Sequence, residues 1–460
     1  MRDADAPSKD GEAPEKAKRR GSRRNRRGRG RSGGAHGSSP QPLTNQRVSG
    51  DAEAAPTRQQ PGGGARRRGG RIFGALDLGT NNCRLLIARA EGESFKIIDS
   101  FSRAIRLGEG LEETGALSEQ AIDRCVAALS VCAARLAKHR AVKLRAIATE
   151  ACRRASNSEA FLRRVRDETG IELIVVAAEE EARLAVAGCA PLLDPMAEEL
   201  LVFDIGGGST ELIWMDLSRS SPAKRRSLLM ALAHGESRSD RARAAARHVR
   251  DWISTPLGVV TLGEAFRDRP DDEARFRLMQ GEMARRLTAF LERNGPLTPE
   301  RLARLQVLGA SGTITTLAGV YLDLQRYSRK AVDGLWVDRA PLEDLIERLA
   351  AMTPAERRRI PCVGEDRAEN LMCGAAILLA ILQAWPTQKL RVADRGLREG
   401  MLYGLIQDDR ARRGSRRRQR RRGAAAKPQS QRGSGGDNAP SGEAAGGGAS
   451  GVKQDGGDIG

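Results

Sequence analysis

A chain of 460 residues is long enough for two domains with cores of their own. Its net charge of +19 sits mostly at the ends: residues 1–71 hold 18 basic and 7 acidic residues, residues 409–460 hold 12 and 5, and the stretch between them is nearly neutral. Seven cysteines without CxxC spacing and four histidines without an HExxH pair argue against zinc and for buried thiols; with no apolar leader and no apolar run beyond Leu371–Leu382, the expectation is a cytoplasmic protein with no membrane contact.

Residues 1–71 are poor in apolar side chains and are expected to be a disordered tail. Ten basic residues between 16 and 31 suit contact with RNA or another polyanion, or a solubilising tail; no aromatic residues stand among them for base stacking. The folded part begins at Ile72. Strand Ile72–Leu78 turns at Gly79–Asn82, returns as Cys83–Arg89, and is followed by a third strand, Phe95–Phe101. Ser118 caps a helix to about His139. Val142–Ala148 reads as a strand, Ser156 or Asn157 as the cap of a helix to about Glu168, and Ile171–Val176 as another strand. Glu179, Glu180 and Glu181 open a further helix, whose N-terminus favours acidic residues; the dipole accounts for one or two of the three.

The run Leu201–Leu212 (LVFDIGGGSTEL) repeats the pattern of 72–82 (IFGALDLGTNN): an apolar strand, an aspartate, then a glycine turn with a hydroxyl. Asp77 and Asp204 are 127 residues apart, about one domain length, which suggests a duplicated fold with a phosphate held between its halves. Glycines let backbone N–H groups approach an anion closely, Asp204 suits a metal ion, and Glu211 is a second carboxylate. For either turn alone a plain glycine-rich hairpin would serve as well. Thr210–Met215 is the returning strand. Residues 218–250, with 9 basic and 2 acidic residues and a helical period from Ser239 to Val249, are expected to be a surface insertion. A helix covers Asp271–Glu292. Strand Leu305–Gly309 leads into Ala310-Ser311-Gly312-Thr313, which suits an anion site at a helix N-terminus or an ordinary N-cap. Helices Leu342–Met352 and Ala368–Gln383, strand Leu390–Val392 and closing helix Leu397–Leu405 complete the fold. Residues 409–460, with nine arginines from Arg410 to Arg422, are expected to be a second disordered tail.

Six motifs thus stand in order: ALDLGTNNCRLLIA (75–88), ATEACRRASN (148–157), EEEARLA (179–185), FDIGGGSTEL (203–212), LGASGTITTLAG (308–319) and ADRGLREGMLYG (393–404). Each is short, but the ordered set is specific. It resembles the exopolyphosphatase / guanosine pentaphosphate phosphohydrolase family over roughly 72–407. The resemblance implies an α/β fold of two ribonuclease-H-like domains of the actin-like ATPase superfamily with a cleft between them. These would span 72–193 and 194–408, with the final helix packed back on the first domain. It also implies a Mg²⁺-dependent hydrolase that removes a terminal phosphate from polyphosphate or guanosine pentaphosphate. On the family pattern, Glu181 orients or deprotonates the attacking water, and Glu211 positions that water or the metal. Asp204 and Glu211 would contact Mg²⁺. Thr80, Asn81, Gly207, Gly208, Ser209, Gly309, Ser311, Gly312 and Thr313 would hold phosphate, with Arg153 as its clamp. Such catalysis is mostly positioning and charge neutralisation around a loose transition state.

Longer members of that family continue past the position of Leu405 into a helical phosphohydrolase-like domain that binds long polyphosphate and dimerises. Here the Arg-rich tails are polycations of the right sign to substitute, and a homodimer stays open. Two other readings compete. One is a nucleotide- or RNA-binding protein with little turnover, supported by the tails. The other is a sugar kinase of the same superfamily, for which no aspartate base stands out. The pair Glu181 and Glu211 favours hydrolysis, since a pure binder has no use for both.

Overall fold

The apolar runs that end in Asp77 and Asp204 form inner strands of two sheets. The computed structural model describes residues 70–233 and 240–425, so the expectations for 1–69, 234–239 and 426–460 lie outside the described residues. The first sheet contains β1 (Ile72–Leu78), β2 (Asn82–Glu91), β3 (Ser94–Ala104), β4 (Lys143–Ala148) and β5 (Ile174–Val175), in the order β3-β2-β1-β4-β5. The second contains β6 (Glu199–Ile205), β7 (Thr210–Asp216), β8 (Val249–Thr255), β9 (Leu305–Ala310), β10 (Trp336–Asp338) and β11 (Lys389–Ala393), in the order β10-β11-β9-β6-β7-β8. In each, three strands form an antiparallel meander and two more run parallel to its first strand. With β10 set aside as an added edge, the two orders are the same. This is the duplication implied by the two strand–aspartate–glycine turns.

Alternation along the strands supplies both faces of each sheet. From β1 and β2, Leu76, Leu78, Leu85 and Ile87 pack on the helix Glu119–Lys138, while Phe73, Ala75, Leu86 and Ala88 pack on Leu184 and on Met401, Leu402 and Ile406 of the closing helix. In β6 and β7, Leu201, Phe203, Leu212 and Trp214 face one core, and Leu200, Val202, Ile213 and Met215 face another.

Three expected boundaries move. The helix Ala178–Cys189, placed before the boundary at 193, packs Ala182, Val186 and Ala187 on the second sheet while Leu184 reaches the first. The closing helix does not stop before 409; it runs Leu397–Ala425, and Asp409 is buried against Arg71. The segment 218–250 is not a surface insertion throughout. Its helices Pro222–Ala231 and Asp240–Ala246 put Leu229 and Ala245 into the core beneath the second sheet, and the turn after the first adds Leu232 and Ala233. Its last residues start β8, the strand equivalent to β3, whose period-two signal is masked by the preceding alanine–arginine helix.

The helices Ala178–Cys189 and Leu397–Ala425 cross backbone to backbone. A Cβ on Gly188 would lie 1.8 Å from Gly396 O, and one on Gly400 would lie 2.0 Å from Leu184 O. Gly188→Ala and Gly400→Ala are expected to destabilise by about 1–3 kcal/mol each, since backbone cannot swing aside as a side chain can. Gly281→Ala, in the helix Glu273–Asn294 with nothing near its missing Cβ, is expected to stabilise by about 0.5–1 kcal/mol. Thermal unfolding of the three variants checks this; equal behaviour of all three would contradict the close crossing.

Candidate active site

The two glycine turns meet face to face. Ile105 and Arg106 N–H both donate to Asn81 O (2.8 and 3.0 Å), and Gly108 N–H donates to Thr80 O (2.9 Å), which pins the β1–β2 turn. The β6–β7 turn is pinned from the helix Val259–Ala265: Val259 N–H donates to Gly206 O (3.0 Å) and Val260 N–H to Gly207 O (2.8 Å). A Cβ on Gly207 would stand 3.1 Å from Asn81 N, and one on Gly208 2.7 Å from Thr80 Oγ1. Only glycine lets the turns come this close.

Asp77 and Asp204 sit near the cleft ends of β1 and β6. Directly across each hairpin is the residue seven positions on: Arg84 opposite Asp77, and Glu211 opposite Asp204. The same register thus carries a cation in one half and an anion in the other. Glu211 is buried and accepts Ser209 Oγ–H (2.6 Å) and Ser254 Oγ–H (2.9 Å), both on Oε1, which leaves Oε2 for other partners.

Glu181 comes from the first turn of the helix Ala178–Cys189. The three glutamates there do three different things. Glu179 lies 3.5 Å from Arg183, Glu180 pairs with Arg145 of β4, and Glu181 Oε2 accepts Arg153 Nη1–H at 2.8 Å. Arg153 also donates to Glu150 through Nε (3.0 Å) and Nη2 (2.7 Å), and to Val176 O (2.9 Å). Four of its five N–H donors are thereby taken inside the protein.

These side chains border a cavity of about 600 Å³ between the sheets. Its walls include Thr80, Asn81, Gly207, Gly208, Ser209, Ser311, Gly312 and Thr313 from the expected phosphate set, with Glu181, Asp204 and Glu211 beside them. Two expected members are elsewhere. Arg153 lies behind Glu150 and Glu181 rather than in the wall. Gly309 is inside β9, where a Cβ would strike Ile314 Cδ1 and Phe203 Cζ, both at 2.6 Å; its role is packing. Ser311 is an N-cap, its Oγ accepting Ile314 N–H at 3.0 Å.

The cleft also holds residues that motif matching left unassigned: Asp77, Arg84, Arg329, Arg367, Arg395, Arg398 and Glu399. Arg329 is taken by Glu399 (2.7 Å) and Arg395 by Asp333, and Arg367 donates to Thr316 Oγ1 (2.8 Å). Arg84 and Arg398 have no ion-pair partner among the described residues, and burial lowers the pKa of Arg398. Two signals in the sequence pointed here. Arg84 holds the position of Glu211 in the other hairpin. The charged run Asp394-Arg395-Gly396-Leu397-Arg398-Glu399 follows a strand and opens a helix, the same placement as Ser311-Gly312.

Burial dominates the electrostatics. It pushes Glu181 well above the usual carboxylate range, Glu211 adds to the rise, and Arg153 opposes it. Asp204 is pushed up to about 7 by burial and then by Glu181. Glu211 also rises to about 7, through burial, with its Ser209 hydrogen bond opposing. Asp77 is raised by burial, against Arg84 and Arg398. Backbone amides, unpaired guanidinia and carboxylates poised near neutrality can hold a phosphoryl group and take a proton from water.

No group of three or more His, Cys, Asp or Glu side chains among the described residues converges as a metal cage. The pair Asp204 and Glu211 still fits a magnesium ion, which keeps several waters and takes one or two carboxylates plus substrate phosphate. Two buried acids raised to about 7 are what such a cation would relieve.

The model of the Ppx/GppA phosphatase family matches residues 86–409. Among solved structures, the Aquifex aeolicus member of the Ppx/GppA family is 28% identical, with a TM-score of 0.58 over 74% of this chain and 98% of its own. A second structure, of the Aquifex aeolicus PPX-GPPA enzyme, has 28% identity and a TM-score of 0.56 over 72% of this chain and 99% of its own. An exopolyphosphatase from Cytophaga hutchinsonii shares the fold at 23% identity and a TM-score of 0.61, covering 74% of this chain and 98% of its own.

The raised acids make a stability prediction. A carboxyl whose pKa is higher folded than unfolded contributes stability below its unfolded pKa and loses it as pH rises through the folded value. In metal-free buffer the protein is therefore expected to lose stability between about pH 4 and pH 8. Asp204→Asn and Glu211→Gln should each flatten that loss and stabilise the fold at pH 8 by on the order of 2–4 kcal/mol. Denaturant titrations across this range decide it; a wild-type slope retained in both variants would contradict the assignment.

Proposed function

The chain belongs to the Ppx/GppA phosphatase family and is a phosphoanhydride hydrolase, and from that premise we propose that it releases the terminal phosphate of inorganic polyphosphate or guanosine pentaphosphate. The observation that carries the reading is the placement of Glu181. Its carboxyl faces the same cleft as the Gly207–Ser209 turn and as Arg84 and Arg398, which have no ion-pair partner among the described residues, and it is held from behind by Arg153. The terminal phosphate would lie between the Thr80–Asn81 and Gly207–Ser209 turns, at the start of the helix Gly312–Tyr321, where backbone N–H groups and guanidinia offset its charge. Glu181 accepts a proton from water. The water oxygen bonds to the terminal phosphorus, the bridging P–O bond breaks, and the bridging oxygen leaves with the rest of the substrate. A magnesium ion held by Asp204 and Glu211 would supply further charge neutralisation on the phosphoryl oxygens. The seven buried, unpaired thiols suit a reducing, cytoplasmic setting.

Phosphate release from both substrates, with magnesium and with chelator, tests the reading; no release from either would end it. Glu181→Gln is expected to lower kcat by about 10²–10⁴-fold with little change in substrate affinity. Glu179→Gln and Glu180→Gln should keep turnover and shift stability by about 1 kcal/mol or less. Near-normal turnover in folded Glu181→Gln protein would remove its assigned role.

Arg153 gives a separate prediction. Its cation favours the Glu181 carboxylate, so Arg153→Met should raise that pKa and move the acidic limb of the pH–rate profile to higher pH, with Arg153→Lys restoring it in part. A phosphate clamp would instead show a higher KM with the limb unmoved.

A further inference from the structure

The closing helix has a second half that the cleft does not use. Its first turns pack Leu397, Met401, Leu402 and Ile406 on the first sheet, and this packing ends where buried Asp409 takes Arg71 Nη1–H at 2.6 Å. The helix continues to Ala425. Arg410–Ser415 are all exposed, and the sequence carries nine arginines from Arg410 to Arg422 with no acidic residue before Asp437. At the root, Arg410 lies 3.4 Å from Glu93 and Arg413 3.9 Å from Asp409, while Arg412 has no carboxylate partner among the described residues. Arginines recur four apart at 412 and 416, 413 and 417, 416 and 420, 417 and 421, and 418 and 422. Like charges at that spacing oppose a helix, and the sequence of the segment offers no apolar stripe to pack. A polyanion would remove the repulsion.

We propose that Arg410–Arg422 is a docking arm for inorganic polyphosphate, separate from the cleft; this rests on reading the cleft as a polyphosphate-hydrolysing site. Two observations favour that occupant over RNA. No Phe, Tyr or Trp follows Tyr403, so the arm offers no aromatic platform for successive bases. The helix also begins in the cleft with Arg398 and carries the arm away from it: at about 1.5 Å per residue, Arg410 is about 18 Å and Arg422 about 36 Å further along the axis. A polymer of the cleft's own substrate chemistry reaches both places at once. Held on the arm, its end stays at high effective concentration near the turns. A short substrate gains nothing.

The test compares the full chain with a variant carrying Gln at Arg412, Arg413, Arg416, Arg417 and Arg418, a change that keeps helix propensity. Phosphate release is measured on long-chain polyphosphate and on tripolyphosphate. Retention of labelled long-chain polyphosphate is measured by gel shift over a range of salt, with RNA as competitor. The expected result is a KM for the long chain raised about 10-fold or more, unchanged tripolyphosphate kinetics and a shallower salt dependence. Unchanged long-chain retention and salt slope in the variant would overturn the arm, and so would RNA bound through the same arginines that polyphosphate cannot displace. If no phosphate substrate is turned over yet the variant loses the gel shift, the arm stands and the reading of the cleft fails.

Discussion

The cleft is built around keeping acids close together where water cannot screen them. Asp77, Asp204, Glu181 and Glu211 are all raised by burial before any neighbour is considered. A polyanionic substrate added to four ionised carboxylates would be repelled. Three features lessen that repulsion. Protonation near neutrality removes part of the charge at Asp204 and Glu211. Arg84 and Arg398 face the cleft without an ion-pair partner among the described residues. The turns contribute amide dipoles already fixed by the strands and by the loop 105–108, so no further ordering is needed when an anion arrives.

The duplicated fold makes this arrangement possible by letting equivalent positions diverge. Both meanders put an aspartate near the end of the first strand and face it across the hairpin with the residue seven places on. Had both halves kept an acid there, the cleft would carry one more anion and one fewer cation. With Arg84 in the first half and Glu211 in the second, that pair of positions is neutral. The repeat supplies the geometry, and the two substitutions supply opposite charge.

Much of this was legible in the sequence. Apolar runs of strand length located β1, β2, β4, β6, β7 and β9, and the strand–aspartate–glycine pattern located both turns. What escaped was of two kinds. The motif assigns Arg153 to a phosphate clamp because it records residue type and spacing, not which donors are already engaged; four of its N–H groups are. The same matching places Gly309 in the phosphate set, although its missing side chain makes room for Phe203 and Ile314. The other misses were tertiary. The helix Ala178–Cys189 changes partner sheet, and the segment 218–250 is buried on one side by contacts distant in sequence, such as Ala233, just after its first helix, against Gly404. Nor does a run of arginines show on its face that it continues an apolar helix; its charge reads as a tail until the hydrogen-bonded helix behind it is seen.

The crossing of the two bridging helices explains how Glu181 and Arg398 are held together between the two sheets. One helix carries Glu181 in its first turn and Gly188 two turns later; the other carries Gly396 just before its start and Arg398 in its first turn. Side chains at the crossing would leave the spacing dependent on rotamers and repacking. Glycine at 188 and 400 removes that freedom, because main chain rests on main chain at Gly396 and Leu184. Glu399 completes the arrangement: it is buried, accepts Gly396 N–H at 3.0 Å and holds Arg329 at 2.7 Å. The positions of Glu181 and Arg398 are therefore set by two backbone contacts at one crossing, and those of the glycine turns by two separate meanders, so the cleft takes its shape only when both sets are in place.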